Sequence, residues 1–277
     1  MTSSINTNLS ALVALRTLTS VQTDLAATQK RVSTGYTVAD AFDNGAIFAV
    51  AQSIRNQIAG VAAVNSQLNG AQGLVSVSNA ALGQASDLMT QVRDILTRLS
   101  DQSIASDTRA QLATQYTNLL STINNNLTTA VYQGTTLVGT SGTIGVVQDV
   151  LANQLTLTGQ QSTLGTVLTN LSVVSFTSIT SAGTFLLQTF LTELNLVATS
   201  LNVVGSLNQR LANQVQYNSS IADALTTGLS SLVDANLPAE SARLRLRQIT
   251  VQLSAQTSAI ANRSPADLLN LFGNKGV

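Results

Sequence analysis

Eight apolar residues, Ile47, Ile54, Val61, Leu68, Val75, Leu82, Met89 and Leu96, follow one another at intervals of seven. Three places after each stand Val50, Gln57, Val64, Ala71, Ser78, Ala85, Val92 and Leu99, mostly small or apolar. A helix brings every third and fourth residue to one side, so a seven-residue period held this long requires one long helix packed along a supercoiled seam. The glycines at 60, 70, 73 and 83 each cost about 1 kcal/mol relative to alanine inside a helix. Packing along the seam must therefore supply the stability, and these glycines predict points of close helix approach.

The same spacing recurs at both ends of the chain. Leu18, Val21, Leu25 and Val32, extended upstream by Ala11 and Ala14, predict a helix over Ile5 to Val32. Near the other end, Ala242, Leu246, Ile249, Leu253 and Ile260 mark a second narrow apolar stripe, with Gln256 its polar member. A shorter helix carries Leu112, Tyr116, Leu119, Ile123 and Leu127. Another long one runs from near Phe185 through Phe190, Leu194, Val197, Leu201, Val204, Asn208, Leu211, Val215, Asn218, Ala222, Leu225, Leu229 and Leu232. Asn208 and Asn218 on this seam either fix register, as polar core positions do in coiled coils, or mark solvated spots.

Two connectors interrupt the helices: "STGYTVADAFDNG", Ser33 to Gly45, and "VDANLPAE", Val233 to Glu240, where Pro238 suits a first helical turn. From Gly134 to about Thr180 the chain turns rich in Gly, Thr, Ser and Val, and "TIGVVQD" with "QLTLTG" reads as a hairpin. The order is nearly palindromic. It predicts a mainly α fold: a long antiparallel helical bundle and coiled coil with a small β-hairpin region, in which the N- and C-terminal segments pair discontinuously. The expected domains are a terminal coiled coil from residues 1–40 and 235–277, and a bundle over 41–234 that includes the β region at about 134–180. A two-stranded pair buries only its seam, so the remaining flanks call for a further partner, most simply another copy of the chain.

Composition narrows the chemistry. The chain has no Cys, His or Trp, only Lys30 and Lys275 as lysines, and only Glu193 and Glu240 as glutamates. Thiol nucleophiles, disulfides, His-based triads and zinc-protease helices are excluded. Neither an enzyme nor a cofactor or metal site is expected. Thirteen basic residues balance thirteen acidic ones, so no overall field draws in nucleic acid or an anionic membrane. Charged residues make up 9% of the chain, well below the roughly 25% usual in soluble domains. A surface so poor in ions associates with its own copies at little desolvation cost. "MTSSINTNLS" lacks a basic n-region, and no unbroken apolar run approaches a membrane span. Neither a cleavable secretion signal nor a membrane anchor is expected.

Three motifs in order carry a family resemblance. "RVSTGYTVADAFDNGAIFAVAQSIRNQIAG" resembles the N-terminal signature of bacterial flagellins, and "TTAVYQGTTLVG" their aromatic-Asn-Gly turn, with Gln133 in place of Asn. "LVDANLPAESARLRLRQITVQLSAQTSAIANRS" resembles the C-terminal signature, with Asp234, Glu240 and Arg243 in the familiar places. Tyr36-Thr37-Val38 and Phe42 depart from the pattern. The resemblance implies a structural subunit that polymerises with itself into the flagellar filament, in a short form without variable outer domains. It implies an extracellular location reached through the flagellum's own export channel without a cleavable signal. Other flagellins, the filament cap, hook-junction proteins, the export apparatus and a secretion chaperone are further partners it suggests. A hook–filament junction protein, which shares the terminal helices, is the alternative; a secreted, enzyme-bearing flagellin-like protein is another, with no insert to support it.

The expected self-assembly seam is Leu18, Val21, Leu25, Val32, Leu246, Ile249, Leu253 and Ile260. Arg31, Asp40, Asp43, Glu240, Arg243 and Arg247 are candidates for polar contacts between subunits. Each exposed pair contributes at most about 1 kcal/mol, and solvated charges are the plainer alternative.

Overall fold

A computed structural model describes the backbone of residues 7–174, 176 and 179–273, and the side-chain surroundings of these except 179–181 and 264–273. The chain is mainly helical and divides into two compact units, Met1–Asn56 with Leu225–Val277, and Gln57–Ala224.

In the first unit, α1 (Leu9–Thr34) runs antiparallel to α7 (Leu237–Gly273). Asn8 caps the start of α1, its side-chain oxygen accepting from the Ala11 N–H at 3.0 Å. Gly35 ends the helix in a left-handed conformation, φ 74°, and its N–H reaches back to the Arg31 carbonyl. The two connectors pair with each other. Tyr36 bridges Asp234, the Thr37 N–H donates to the Val233 carbonyl at 2.7 Å, and the Ala235 N–H to the Gly35 carbonyl at 2.8 Å. Beneath them lies a small core of Val38, Ala51 and Val233, flanked by Ile47, Phe48 and Leu229. The first turns of α2 (Ala41–Leu99) and the last of α6 (Leu191–Val233) therefore pack with the connectors, and this unit reaches past residues 40 and 235 into both long helices.

α2 is broken once, at Asn44, whose extended backbone (φ −162°, ψ 102°) lets its side-chain oxygen cap the following turns through the Ile47 N–H. Early in this helix the buried stripe lies on Ala51, Ile54, Ile58 and Val61, while Val50 and Gln57 are exposed. A straight helix drifts about 20° per heptad against a strict seven-residue repeat, which moves the stripe by one residue at this end.

From Val61 to Leu99, in the second unit, the sequence period of α2 holds. Val61, Val64, Leu68, Ala71, Val75, Ser78, Leu82, Ala85, Met89, Val92, Leu96 and Leu99 are all buried. From Val64 on, the apolar ones pack in a core with Leu112, Tyr116, Leu120, Ile123 and Leu127 of α3 (Ser106–Thr128) and with Val197, Val204, Leu207 and Leu211 of α6. Leu120, rather than the expected Leu119, completes the α3 stripe. The antiparallel hairpin of β1 (Thr143–Val147) and β2 (Gln154–Thr158) pairs Thr143 with Thr158 and Val147 with Gln154.

The β region is shorter than its composition predicts. α4 (Gln161–Ser172) follows β2 at once, burying Leu164, Val167 and Leu171 at helical spacing among Thr, Ser and Gly residues that hide the pattern. α5 (Ile179–Phe185) and a π-helical turn, Leu186–Phe190, then lead into α6. On α6 Leu207 faces inward and Asn208 is exposed, so Asn208 is not a seam residue. Asn218 is one: it is 2% exposed, and its amide donates to the Gln148 carbonyl at the end of β1, at 3.0 Å. Of the α2 glycines at 60, 70, 73 and 83, two meet neighbours, but the neighbours are side chains from beyond α3 and not a helix. A Cβ on Gly73 would lie 2.6 Å from the Tyr132 ring, and one on Gly60 3.0 Å from Val150; Gly70 and Gly83 face open space.

Ala41–Leu99 and Ala182–Val233 both contain 18-residue windows of mean hydropathy 1.2, long and apolar enough by composition to cross a membrane. The expectation from unbroken apolar runs missed this, because uncharged Gln, Asn, Ser and Thr lower hydropathy less than ions do. In both helices the apolar side chains gather into stripes, as packing against other helices requires.

Candidate self-assembly surface

α7 carries two stripes on opposite sides. Glu240, Leu244, Arg247, Val251, Ser254, Ser258 and Ala261 step alternately by four and three and are buried or half-buried, making the side against α1. Most of these are small, polar or charged. Leu246, Ile249, Leu253 and Ile260, two positions out of phase, stand 55–71% exposed. Two residues of a helix are about 200° of rotation, so the oily stripe faces away from α1, the helix that α7 packs against within its unit. The seam that looks like the natural partner for α1 is turned outward.

On α1 the expected seam faces α7. Val21 is buried, and Leu18, Leu25 and Val32 are half-buried in the series Ala11, Ala14, Leu18, Val21, Leu25, Thr28, Val32. Exposed residues here are Leu9, Leu12, Val13 and Leu15, near its N-terminal end, which the sequence reading left out. Of twenty large apolar residues exposed among the described ones, thirteen belong to the first unit, although it is much the smaller. Exposed apolar surface concentrated in this way is characteristic of interaction sites.

The polar candidates are engaged within the chain. Lys30 reaches Asp40 at 2.6 Å and Asp43 at 2.8 Å, tying α1 to the start of α2. Its hydrogen bonds hold both carboxyls below the usual carboxylate range, and theirs raise the Lys30 ammonium above its ordinary value. Asp43 also accepts from the Ala39 N–H, and Asp40 from the Phe42 N–H. Arg247 pairs with Asp24 of α1 at 3.0 Å. Glu240, 3% exposed, binds Arg243 one turn later, and its second oxygen is buried without a donor. Arg31 forms no ion pair among the described residues. Arg55 lies over the Tyr36 ring, 6.0 Å from its centre. Phe42, 98% exposed, packs on nothing in its own unit. Lys30 and Asp24 were missed in the sequence. Lys30 had a signal, as one of two lysines in a chain with acids ten and thirteen places on.

Among the described residues no group of three His, Cys, Asp or Glu side chains is placed to hold a metal ion.

The sequence matches the profile of the bacterial flagellin N-terminal helical region over residues 5–143 and that of the C-terminal helical region over 186–272. Flagellin FljO of Caulobacter vibrioides is 31% identical over 271 residues, covering 97% of this chain and 98% of its own. The chain belongs to the flagellin family. Flagellin FljK of the same organism is 30% identical, covering 97% of this chain and 98% of its own, and a flagellin of Brucella melitensis is 30% identical, covering 97% and 99%. Such even coverage means that this flagellin shares their short form, with a β-hairpin and α4 where longer relatives would have room for outer domains.

Proposed function

We propose that this flagellin, a structural subunit of the extracellular flagellar filament, polymerises by laying the outward stripe of α7 and the exposed N-terminal residues of α1 against neighbouring copies. The observation that carries this is the position of Leu246, Ile249, Leu253 and Ile260, apolar in a helical series and exposed in the isolated chain. Completing their burial contributes about 1 kcal/mol or more each, whereas exposed ion pairs such as Arg247–Asp24 contribute at most about 1 kcal/mol. The apolar stripe drives association, and the polar groups orient it. A patch that meets a different patch on the next copy leaves both ends open, and where the rotation between copies does not close, repetition gives a filament instead of a ring.

The role is mechanical, with no catalytic step. Export through the flagellum's own channel, and contacts with other flagellins, a filament cap, hook-junction proteins, the export apparatus and a chaperone, belong to this reading as consequences of filament assembly. Truncation after Pro238 tests it. The shortened protein, concentrated and viewed by electron microscopy, should form no filaments while its Gln57–Ala224 unit still melts cooperatively. Filaments from that protein would overturn the reading.

A further inference from the structure

We propose that Asn8 is a positioning residue that sets the register of the two chain ends, and that Pro265 creates the site it fills. In a continuous helix the Ala261 carbonyl accepts the N–H of residue 265. Residue 265 is proline and has no N–H to give. α7 nevertheless continues to Gly273, so the Ala261 carbonyl needs a donor from elsewhere. The Asn8 Nδ2 supplies it at 2.7 Å, across 253 positions of sequence.

The same carboxamide has a second task. Its oxygen caps α1 at the Ala11 N–H, 3.0 Å away. One side chain thus satisfies an orphan donor at the start of α1 and an orphan acceptor in α7. Asp and Ser would cap equally well, but neither carries the second donor in that place. A cleft lined by Asn8, Ala11, Leu12, Ser258 and Asn262 opens beside this bond, so the carboxamide bridges where apolar packing between the helices is thin. Sliding α7 by one turn along α1 would carry the Ala261 carbonyl about 5.4 Å away and break the bond. Asn8 therefore selects one alignment of the outward stripe with the exposed residues of α1.

This rests on the reading that the α1–α7 pair presents the assembly surface, and the test separates the two. Four full-length proteins are compared: wild type, Asn8→Ser, Pro265→Ala, and the double variant. Critical concentration is measured by sedimentation, and amide exchange of α1 and α7 is measured in the unassembled chain. Asn8→Ser should raise the critical concentration and speed exchange at both ends roughly three- to tenfold, since the cap is kept and the donor lost. In the Pro265→Ala background, where the Ala261 carbonyl regains its helical N–H, the same change should cost less than about twofold. Equal losses in both backgrounds, or no exchange protection at either end in any of the four, would overturn the role of Asn8. Wild type that never assembles while the exchange coupling persists would instead sink the filament reading and leave Asn8 in place.

Discussion

Arg247 of α7 holds Asp24 of α1 at 3.0 Å, while Leu246, its neighbour in sequence, is turned about 100° away round the helix and stands 61% exposed. Charge faces the chain's own helix and oil faces outward. This inverts the usual amphipathic order and, on the proposed mode of assembly, separates stability from association. Leu253→Asp should abolish filament formation by placing an ion in the contact between copies, with little change in the thermal melt of the unassembled protein. Arg247→Ala should change that melt by no more than about 1 kcal/mol and still allow filaments. Electron microscopy and circular dichroism on both variants decide it. A Leu253→Asp protein that polymerises normally would contradict the assignment of the outward stripe.

The two asparagines placed on the α6 seam by spacing differ in consequence. Asn218 donates to the Gln148 carbonyl at 3.0 Å and accepts from the Gln214 amide at 3.1 Å, fastening the hairpin to α6. Asn218→Ala leaves buried polar partners unsatisfied and should cost about 1–3 kcal/mol. Asn208 is exposed, and Asn208→Ala should lie within about 0.5 kcal/mol of wild type. Urea unfolding gives both values. Leu211→Ala, at a fully buried core position, should cost about 2–5 kcal/mol and sets the scale for the pair.

Val64 to Leu99 were legible in the sequence because each seam position there is buried in its own unit, and burial then follows period directly. The α7 stripe was equally legible as a stripe. Its partner was not, since hydrophobicity reports that a face is to be covered without saying by which molecule. Asn208 and Leu207 show the limit of counting by threes and fours: two adjacent residues both fit the period, and the local phase of the helix chooses. α4 was hidden for another reason. Gln161 to Ser172 carries Thr, Ser and Gly, which lower helix propensity, and only tertiary burial of Leu164, Val167 and Leu171 holds it helical.

Lys30 between Asp40 and Asp43 makes the first connector sensitive to pH at both ends of the scale. The two carboxyls titrate below their ordinary value in the folded chain, so their stabilising contribution is present above about pH 4 and is lost as pH falls through the folded values. The Lys30 value is raised, so its contribution is complete below about pH 10 and is lost as pH rises through the folded value. Carboxyl carbon titrations by NMR should give Asp40 and Asp43 midpoints below about 3.9, returning towards it in Lys30→Met. Wild-type midpoints at the ordinary value would dispose of the clamp.

Gln133 and Gly134 both have positive φ, 49° and 79°, and close a two-residue turn in which Tyr132 and Thr135 exchange backbone hydrogen bonds of 2.8 and 2.9 Å. The left-handed conformation costs most side chains roughly 1–2 kcal/mol, while asparagine visits it with less penalty through local hydrogen bonding. Gln133→Asn should therefore raise stability by up to about 1 kcal/mol. Gly134→Ala should lower it by more than about 1 kcal/mol, because a Cβ is added where φ is positive. The turn matters beyond itself, since it holds the Tyr132 ring against Gly73, where an added Cβ would lie 2.6 Å away. Gly73→Ala must displace that ring, and its loss should exceed the helix-propensity gain of about 1 kcal/mol that alanine brings. Urea midpoints for the three variants should rank Gln133→Asn above wild type and both glycine variants below it. A Gly73→Ala protein more stable than wild type would show that the ring does not pack on α2.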